Sequence, residues 1–337
     1  MGAPAVAGRY GALVLAPLRI GVVGSGFGAR VVAPAFSAAD HCSVVDVVSA
    51  RDDRAVRALC RRADIDLVGV HSPPFLHRTH VGYALDAGHA VLCDKPFGCN
   101  ADDAAAMLAD ARSAEVAHFV DFEFRYDPMR MLLRQLVGGE ALGTIEHIGW
   151  THLSAGSRVP PRRHGWLFER ASGGGWIGAW GSHAIDTLRW LLAEELTVAA
   201  TMPRVDVPER PDTTGTLRPV DAEDGFSALL RSRSGVTVAL DSSFAAVASV
   251  APRLVVTTER AVVELTADAR IIVRDAEGRR GEHDRTADTP FGDPHLEPMS
   301  RFVDVVCAAL RAGHVPTGTP TFADGLACAR VLDDLRG

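Results

Sequence analysis

Of the 35 basic residues in the chain, 34 are arginine and one, Lys95, is lysine. A guanidinium stays protonated at every working pH and presents a rigid fork of donors. An ammonium is compact, and its pKa moves readily when it is desolvated. Lys95 lies in VLCDKPFGC, residues 91–99, and reads either as a solvated surface charge or as a small, tunable cation beside a reacting group. Its surroundings decide between the two.

The clearest of those surroundings is PLRIGVVGSGFGARVV. Leu18 to Val23 is a run of apolar and β-branched residues, fit for a strand buried on both faces. A glycine cluster follows, and then a helical pattern. Strand, tight turn and helix is the setting in which G-x-G-x-x-A binds a dinucleotide. Gly24 would make the turn and Gly26 would let the pyrophosphate approach the backbone, with Ala29 as the third position of the fingerprint. Ser25, Phe27 and Gly28 complete the loop, and the helix N-terminus would face the phosphates. The place where an acidic residue would bind the ribose of NAD falls near Ser49, followed by Arg51 and Asp52. A hydroxyl and an arginine suit a 2′-phosphate, so the cofactor is read as NAD(P) with a lean to NADP.

Strand and helix then alternate to about Val120. A strand from Ile65 to Val70 leads into a loop with Ser72, Pro73, Pro74 and His77. Another, from Ala90 to Cys93, leads into Asp94 and Lys95. Lys95 thus sits just past the carboxyl end of a buried strand, the edge where open α/β sheets bind ligands. After Asp121 the pattern changes to alternating strands joined by Ser-Gly and Glu-Gly turns, with helices among them. The fold class expected is α/β: an N-terminal Rossmann domain with a doubly wound parallel sheet, plus a C-terminal α+β domain with a mainly antiparallel sheet. The divisions fall at 1–17 (an extension), 18–120 and 121–337. The stretch RVDVPERPDTTGTLRPVDAED is expected to be an exposed loop.

A chain of 337 residues with 47% hydrophobic and 23% charged content is an ordinary globular composition. A net charge of −7 with no basic stripe argues against nucleic acid, and no apolar run approaches the ~20 residues that span a bilayer. Six cysteines without a C-x-x-C pair read as buried thiols in a reducing, cytoplasmic setting. His77 and His80 lack the spacing of a zinc site, so no metal is expected.

The glycine fingerprint, the S-P-P-x-x-x-H loop, Asp94-Lys95-Pro96 and GGGWIGAWGSHAID (residues 173–186) form an ordered set. It resembles that of the glucose–fructose oxidoreductase, inositol dehydrogenase and MocA family, from about Leu18 to the last helix. The family tripeptide is usually Glu-Lys-Pro. Its second signature, G-G-G-x-x-x-D-x-G-x-H-x-x-D, is matched at Gly173 to Gly175, Gly181, His183 and Asp186, but Ala179 stands where the family has aspartate. The resemblance implies that Lys95 lies by the nicotinamide and the substrate hydroxyl, and that His183 is the acid/base. Arg125, in FEFRYDP, is implied to touch the cofactor or, alternatively, to form a hinge salt bridge. Tyr126, His152, Arg163, His164, Trp166 and Asp186 are candidates to line a pocket for a sugar, inositol or related polyol, and Trp176 and Trp180 are read as core or pocket wall. The expected activity is hydride transfer between NAD(P) and a secondary alcohol or ketone, in a homodimer or homotetramer. Alternatives are an NAD-dependent lyase or glycosidase without net redox, and a ligand-binding regulator.

Overall fold

The computed structural model describes residues 16–285 and 293–337; residues 1–15 of the expected N-terminal extension lie outside it. Five short strands build the first sheet: β1 (Leu18–Val23), β2 (Cys42–Val48), β3 (Leu67–Val70), β4 (Ala90–Cys93) and β5 (His118–Val120). All pair in parallel, in the order β2-β1-β3-β4-β5. β3 and β4 are buried at every residue, as strands covered on both faces must be.

The helices between them start where the sequence supplies caps. A π-wound turn, Gly28–Val32, runs into α1 (Ala33–Ala38). The Asp52 carboxylate accepts from Ala55 N at the start of α2 (Asp53–Cys60). Pro74 opens α3 (Pro74–Asp86). Asn100 caps α4 (Ala101–Ser113) by accepting from Asp103 N, and Asp127 caps α5 (Pro128–Val137). The side chains of Asp52, Asn100 and Asp127 each satisfy an amide that has no partner within the helix.

The second sheet has eight strands. β6 (Ile145–Leu153) precedes α6 (Ser182–Leu192); then come β7 (Leu196–Arg204), a two-stranded hairpin of β8 (Glu209–Pro211) and β9 (Leu217–Pro219), and β10 (Gly225–Ser232), β11 (Thr237–Ser243), β12 (Arg253–Thr258), β13 (Ala261–Thr266), β14 (Arg270–Asp275) and β15 (Arg280–Asp284). The order is β15-β14-β13-β12-β6-β11-β10-β7, antiparallel throughout except for the β6–β11 pair. Burial alternates along β11, β12 and β13, so one face meets the core.

The chain ends with α7 (Leu296–Ala312) and α8 (Phe322–Arg336), and both return to the first sheet. Met299, Phe302 and Val306 of α7 share one core with Ile20, Val22, Phe36 and Leu67. Phe322 of α8 packs on Phe97, with ring centres 4.4 Å apart. The same return brings Cys307 against Cys42, with sulfurs 2.8 Å apart, a contact between two thiols that the sequence showed only as scattered. The opposite face of the parallel sheet shares its core with the second sheet, through Phe97, Phe122, Trp150 and Trp180.

The segment expected to be an exposed loop is instead anchored. Arg210, on β8, is 1% exposed and donates to the carbonyl and hydroxyl oxygens of Ser157. Its guanidinium also lies over the Phe168 ring.

Candidate active site

Three strand ends converge at the carboxyl edge of the parallel sheet. Gly24 follows β1 with a φ of +137°, a region that costs glycine nothing. A Cβ there would collide with the carbonyl oxygen of His71. Gly26 has open space where a Cβ would point, which leaves its backbone free to approach a ligand. The residue that lets the helix close on the strand is Gly28, where a Cβ would press on His71 and Val22 at 3.0 Å; Ala29, the third position of the fingerprint, is half-buried. Ser25 is exposed on the turn. The Ser72 hydroxyl, after β3, is buried without a partner. This cradle fits a dinucleotide: open backbone at Gly26, a positive-φ glycine at Gly24 and an unsatisfied buried hydroxyl on Ser72. Ser49 and Arg51 follow β2, where the Ser49 hydroxyl accepts from Arg51 N at 3.3 Å. Asp52 turns away to cap α2.

His77 does not reach toward a ligand. It is fully buried, with Nε2 2.7 Å from the Ser72 carbonyl and Nδ1 accepting from Gly98 N. It pins the β3 loop to the loop that carries Lys95. Burial pushes its pKa down to about 4, so the neutral ring makes both bonds.

Asp94 accepts from the Lys95 amide at 2.8 Å. The Lys95 ammonium crosses to the second domain and donates to the carbonyl of Ala179 at 3.1 Å. Ala179 belongs to a π-wound turn, Ile177–Gly181, that runs straight into α6. The three glycines before it are there for close packing. A Cβ on Gly173 would meet Pro74, one on Gly174 would meet the Trp166 carbonyl, and one on Gly175 would meet the Glu223 carboxylate. Glu223 then accepts from Ile177 N at the head of the turn.

Lys95, Ala179 and His183 line one cavity of about 440 Å³. Its far wall is aromatic: Trp150, Trp176, Trp180 and Phe244, with Trp176 and Phe244 stacked 4.4 Å apart. Trp176 and Trp180 are therefore pocket wall. His152 faces the same space, held neutral by burial, which lowers its pKa to about 4. Arg130 and Asp268 also line it but are bound to each other at 2.9 and 3.0 Å.

His183 is 6% exposed. Burial, and then the charges of Lys95, His295 and Arg130, hold its pKa well below the ordinary histidine value. It is neutral at pH 7 and so able to accept a proton. The Phe124 ring meets it edge-on, with centres 4.6 Å apart. His183 Nδ1 is 4.0 Å from Glu123 Oε2, and His295 Nδ1 is 2.5 Å from Glu123 Oε1.

Other expected residues lie elsewhere. Arg125 does not line the cavity. It bonds Asp186 at 2.9 and 2.6 Å, Asp324 at 2.8 Å and the Gly318 carbonyl at 3.2 Å. Arg125 and Asp186 thus satisfy one another, and the salt-bridge alternative describes Arg125. Tyr126 stacks on Phe302. Arg163 is exposed, and Arg162 lines the cavity in its place. His164 bonds the Pro219 carbonyl, and Trp166 lies outside the lining with its ring partly exposed. Of the six residues expected to line the pocket, only His152 does.

Glu123, His295 and Arg130 were missed. Glu123 carried a signal, a carboxylate between two phenylalanines at a strand exit, a place where an acid is buried for a reason. His295, in a loop before α7, carried none.

Two family models match the chain. One, described as an oxidoreductase family with an NAD-binding Rossmann fold, covers residues 18–122, and the other, a GFO/IDH/MocA C-terminal domain, covers residues 131–264. An uncharacterized oxidoreductase of Synechocystis sp. is 32% identical over 61% of this chain and 60% of its own length. A levoglucosan dehydrogenase of Pseudarthrobacter phenanthrenivorans is 27% identical over 56% of this chain and 51% of its own. The chain thus aligns with little more than half the length of these curated relatives. A levoglucosan dehydrogenase solved with NADH and L-sorbose has the same fold, with a TM-score of 0.83 at 20% identity over 96% of both chains.

Proposed function

The chain belongs to the GFO/IDH/MocA oxidoreductase family, and from that premise we propose that it moves a hydride between a nicotinamide cofactor and a secondary alcohol or ketone of a sugar, inositol or related polyol. The observation that carries this reading is the meeting of Lys95 and His183 on one cavity, at the carboxyl edge of the dinucleotide cradle. When bound, the cofactor supplies the hydride acceptor or donor. Gly24 to Gly28 and the Ser72–Pro74 loop hold it. Lys95, fixed by the Ala179 carbonyl, places its charge beside the substrate oxygen and stabilises developing alkoxide. The neutral His183 takes the hydroxyl proton in oxidation and returns it in reduction. Trp150, Trp176 and Trp180 present flat faces on which the C–H face of a ring stacks.

The turn after β2 supports NADP: it carries Ser49 and Arg51 and no free carboxylate, because Asp52 caps α2. The absence among the described residues of any helix long and apolar enough to cross a membrane and the six unpaired thiols fit a cytoplasmic enzyme, and the family suggests a homodimer or homotetramer. The test is a titration with NAD and NADP, followed by a screen of sugars and polyols for absorbance change at the nicotinamide band. Arg51→Ala is expected to weaken NADP on the order of tenfold and NAD little, as loss of a charged contact to the 2′-phosphate requires. Equal losses would remove Arg51 as the reader of that phosphate.

A further inference from the structure

Both ring nitrogens of His183 are buried without a hydrogen-bond partner, and so is Oε2 of Glu123. The two orphans face each other, Nδ1 to Oε2, at 4.0 Å. Complementary polar atoms sealed at that spacing pair by a small side-chain rotation or through one water. The other carboxylate oxygen of Glu123 is already held at 2.5 Å by Nδ1 of His295, which fixes the plane of the group. Glu123 is completely buried, so its charge is not spent on solvent.

We propose that Glu123 is the positioning carboxylate of His183, taking over the part left vacant by the methyl group of Ala179. It accepts the Nδ1 proton, which keeps the neutral ring in the Nδ1–H tautomer and leaves the Nε2 lone pair for the cavity. The direction of proton flow rests on the function proposed above. In oxidation the substrate O–H bond breaks and its proton goes to Nε2, while the carbinol C–H pair leaves as hydride for the nicotinamide. The imidazolium keeps its Nδ1 proton toward Glu123, whose negative charge steadies it. Reduction runs the same transfers backward.

The charged and titratable groups around the pair are Lys95, Arg130 and His295 on the His183 side, and Asp121 and His295 on the Glu123 side. The donor atoms of Glu123, His183 and His295 lie within 4.8 Å of one another, close enough for a cation. With Lys95 and Arg130 both facing the site, the geometry assigns it a proton.

The experiment is nitrogen NMR on protein with ring-labelled histidine, saturated with NADH as the probe and with His183 assigned through His183→Asn. No turnover is needed, so the result stands apart from the substrate screen. Wild-type protein is expected to show His183 as Nδ1–H. Glu123→Ala should release it to a mixture of tautomers, and Glu123→Ala with Ala179→Asp should restore the single form. Glu123→Gln, which keeps the volume, should retain the tautomer and lower the imidazole pKa further. Circular dichroism and NADH affinity establish that each variant is folded. Once a substrate is known, kcat of Glu123→Ala should fall about 10²-fold or more with KM little changed. An Nε2–H ring in wild-type protein, an unchanged tautomer in Glu123→Ala, or stoichiometric zinc uptake that shifts both His183 and His295 would each overturn the proposal.

Discussion

Two buried clusters flank the ends of β4 and β5, built from the same kinds of residue and put to different ends. In one, His71 Nδ1 lies 3.8 Å from Asp94 and 3.9 Å from Asp121. In the other, Glu123 stands between His183 and His295. Phe27, from the glycine turn, lies between them, its ring 6.1 Å from that of His71 and 5.2 Å from that of His295. The first cluster lies outside the cavity lining, with side-chain exposures of 0% for His71, 1% for Asp121 and 15% for Asp94. The second opens through His183 and His295 onto the cavity. Burial, then the nearby charges of Glu123 and Asp94, push Asp121 well above the usual carboxylate range, toward its protonated form. Asp94 moves the other way: burial raises it, but His71 and Lys95 outweigh burial. Both clusters keep buried polar atoms unpaired, the two ring nitrogens of His71 and both carboxylate oxygens of Asp121 in the first, the two ring nitrogens of His183 and Oε2 of Glu123 in the second, but only the second lies on the cavity. Access to the cavity, rather than burial or unspent hydrogen-bonding capacity, is what differs between the two.

The sharpest way to break this comparison is at Lys95, which lies between the clusters. Lys95→Arg keeps the charge but puts a larger, rigid fork against Ala179 and the cavity. It is expected to fold and bind NADH yet lose about 10²- to 10³-fold in kcat, the scale of removing one well-aimed donor from a developing oxyanion. Initial rates and an NADH titration decide it, and near-normal turnover would sink the catalytic role.

A smaller effect is expected at His77, a buried histidine outside both clusters. The folded-state pKa of His77, about 4, lies below its unfolded value near 6.5. The unfolded chain therefore binds the extra proton between those values, so stability is whole above pH 6.5 and falls as pH drops toward 4. The limiting slope is about 1.4 kcal/mol per pH unit. Urea midpoints of wild type and His77→Gln should converge as pH falls through that window, and a constant gap would show that His77 is not the group responsible.

The smallest effect is expected at Asp121. Asparagine copies a protonated aspartic acid closely, so Asp121→Asn should change stability by less than about 1 kcal/mol at pH 7. Asp94→Asn, which removes a real charge beside Lys95, should cost more. Thermal melts of the two variants check the order, and reversal of it would mean that the proton sits on Asp94.

The sequence by itself determined much of the first half. Apolar runs such as Leu18–Val23, the caps Asn100 and Asp127, and the glycines at 24 and 26 act through neighbours only a few residues away, and local backbone chemistry reads directly from the chain. Lys95 was legible for the same reason: it is tied to the end of one buried strand. His183 was found through a motif, though the glycines in that motif proved to serve close packing, Gly173 against Pro74 of the first domain and Gly174 and Gly175 within the second. What only the tertiary structure decided were contacts that join distant segments. Arg125 turns from the cavity because Asp186 and Asp324 come to it from α6 and α8. His164 and Tyr126 are drawn off by Pro219 and Phe302. Glu123 and His295, 172 residues apart, acquire their place because α7 folds back onto the parallel sheet and carries its preceding loop to the cavity rim. Composition and spacing describe what a residue can do; which atoms stand opposite it is fixed by the packing of whole elements.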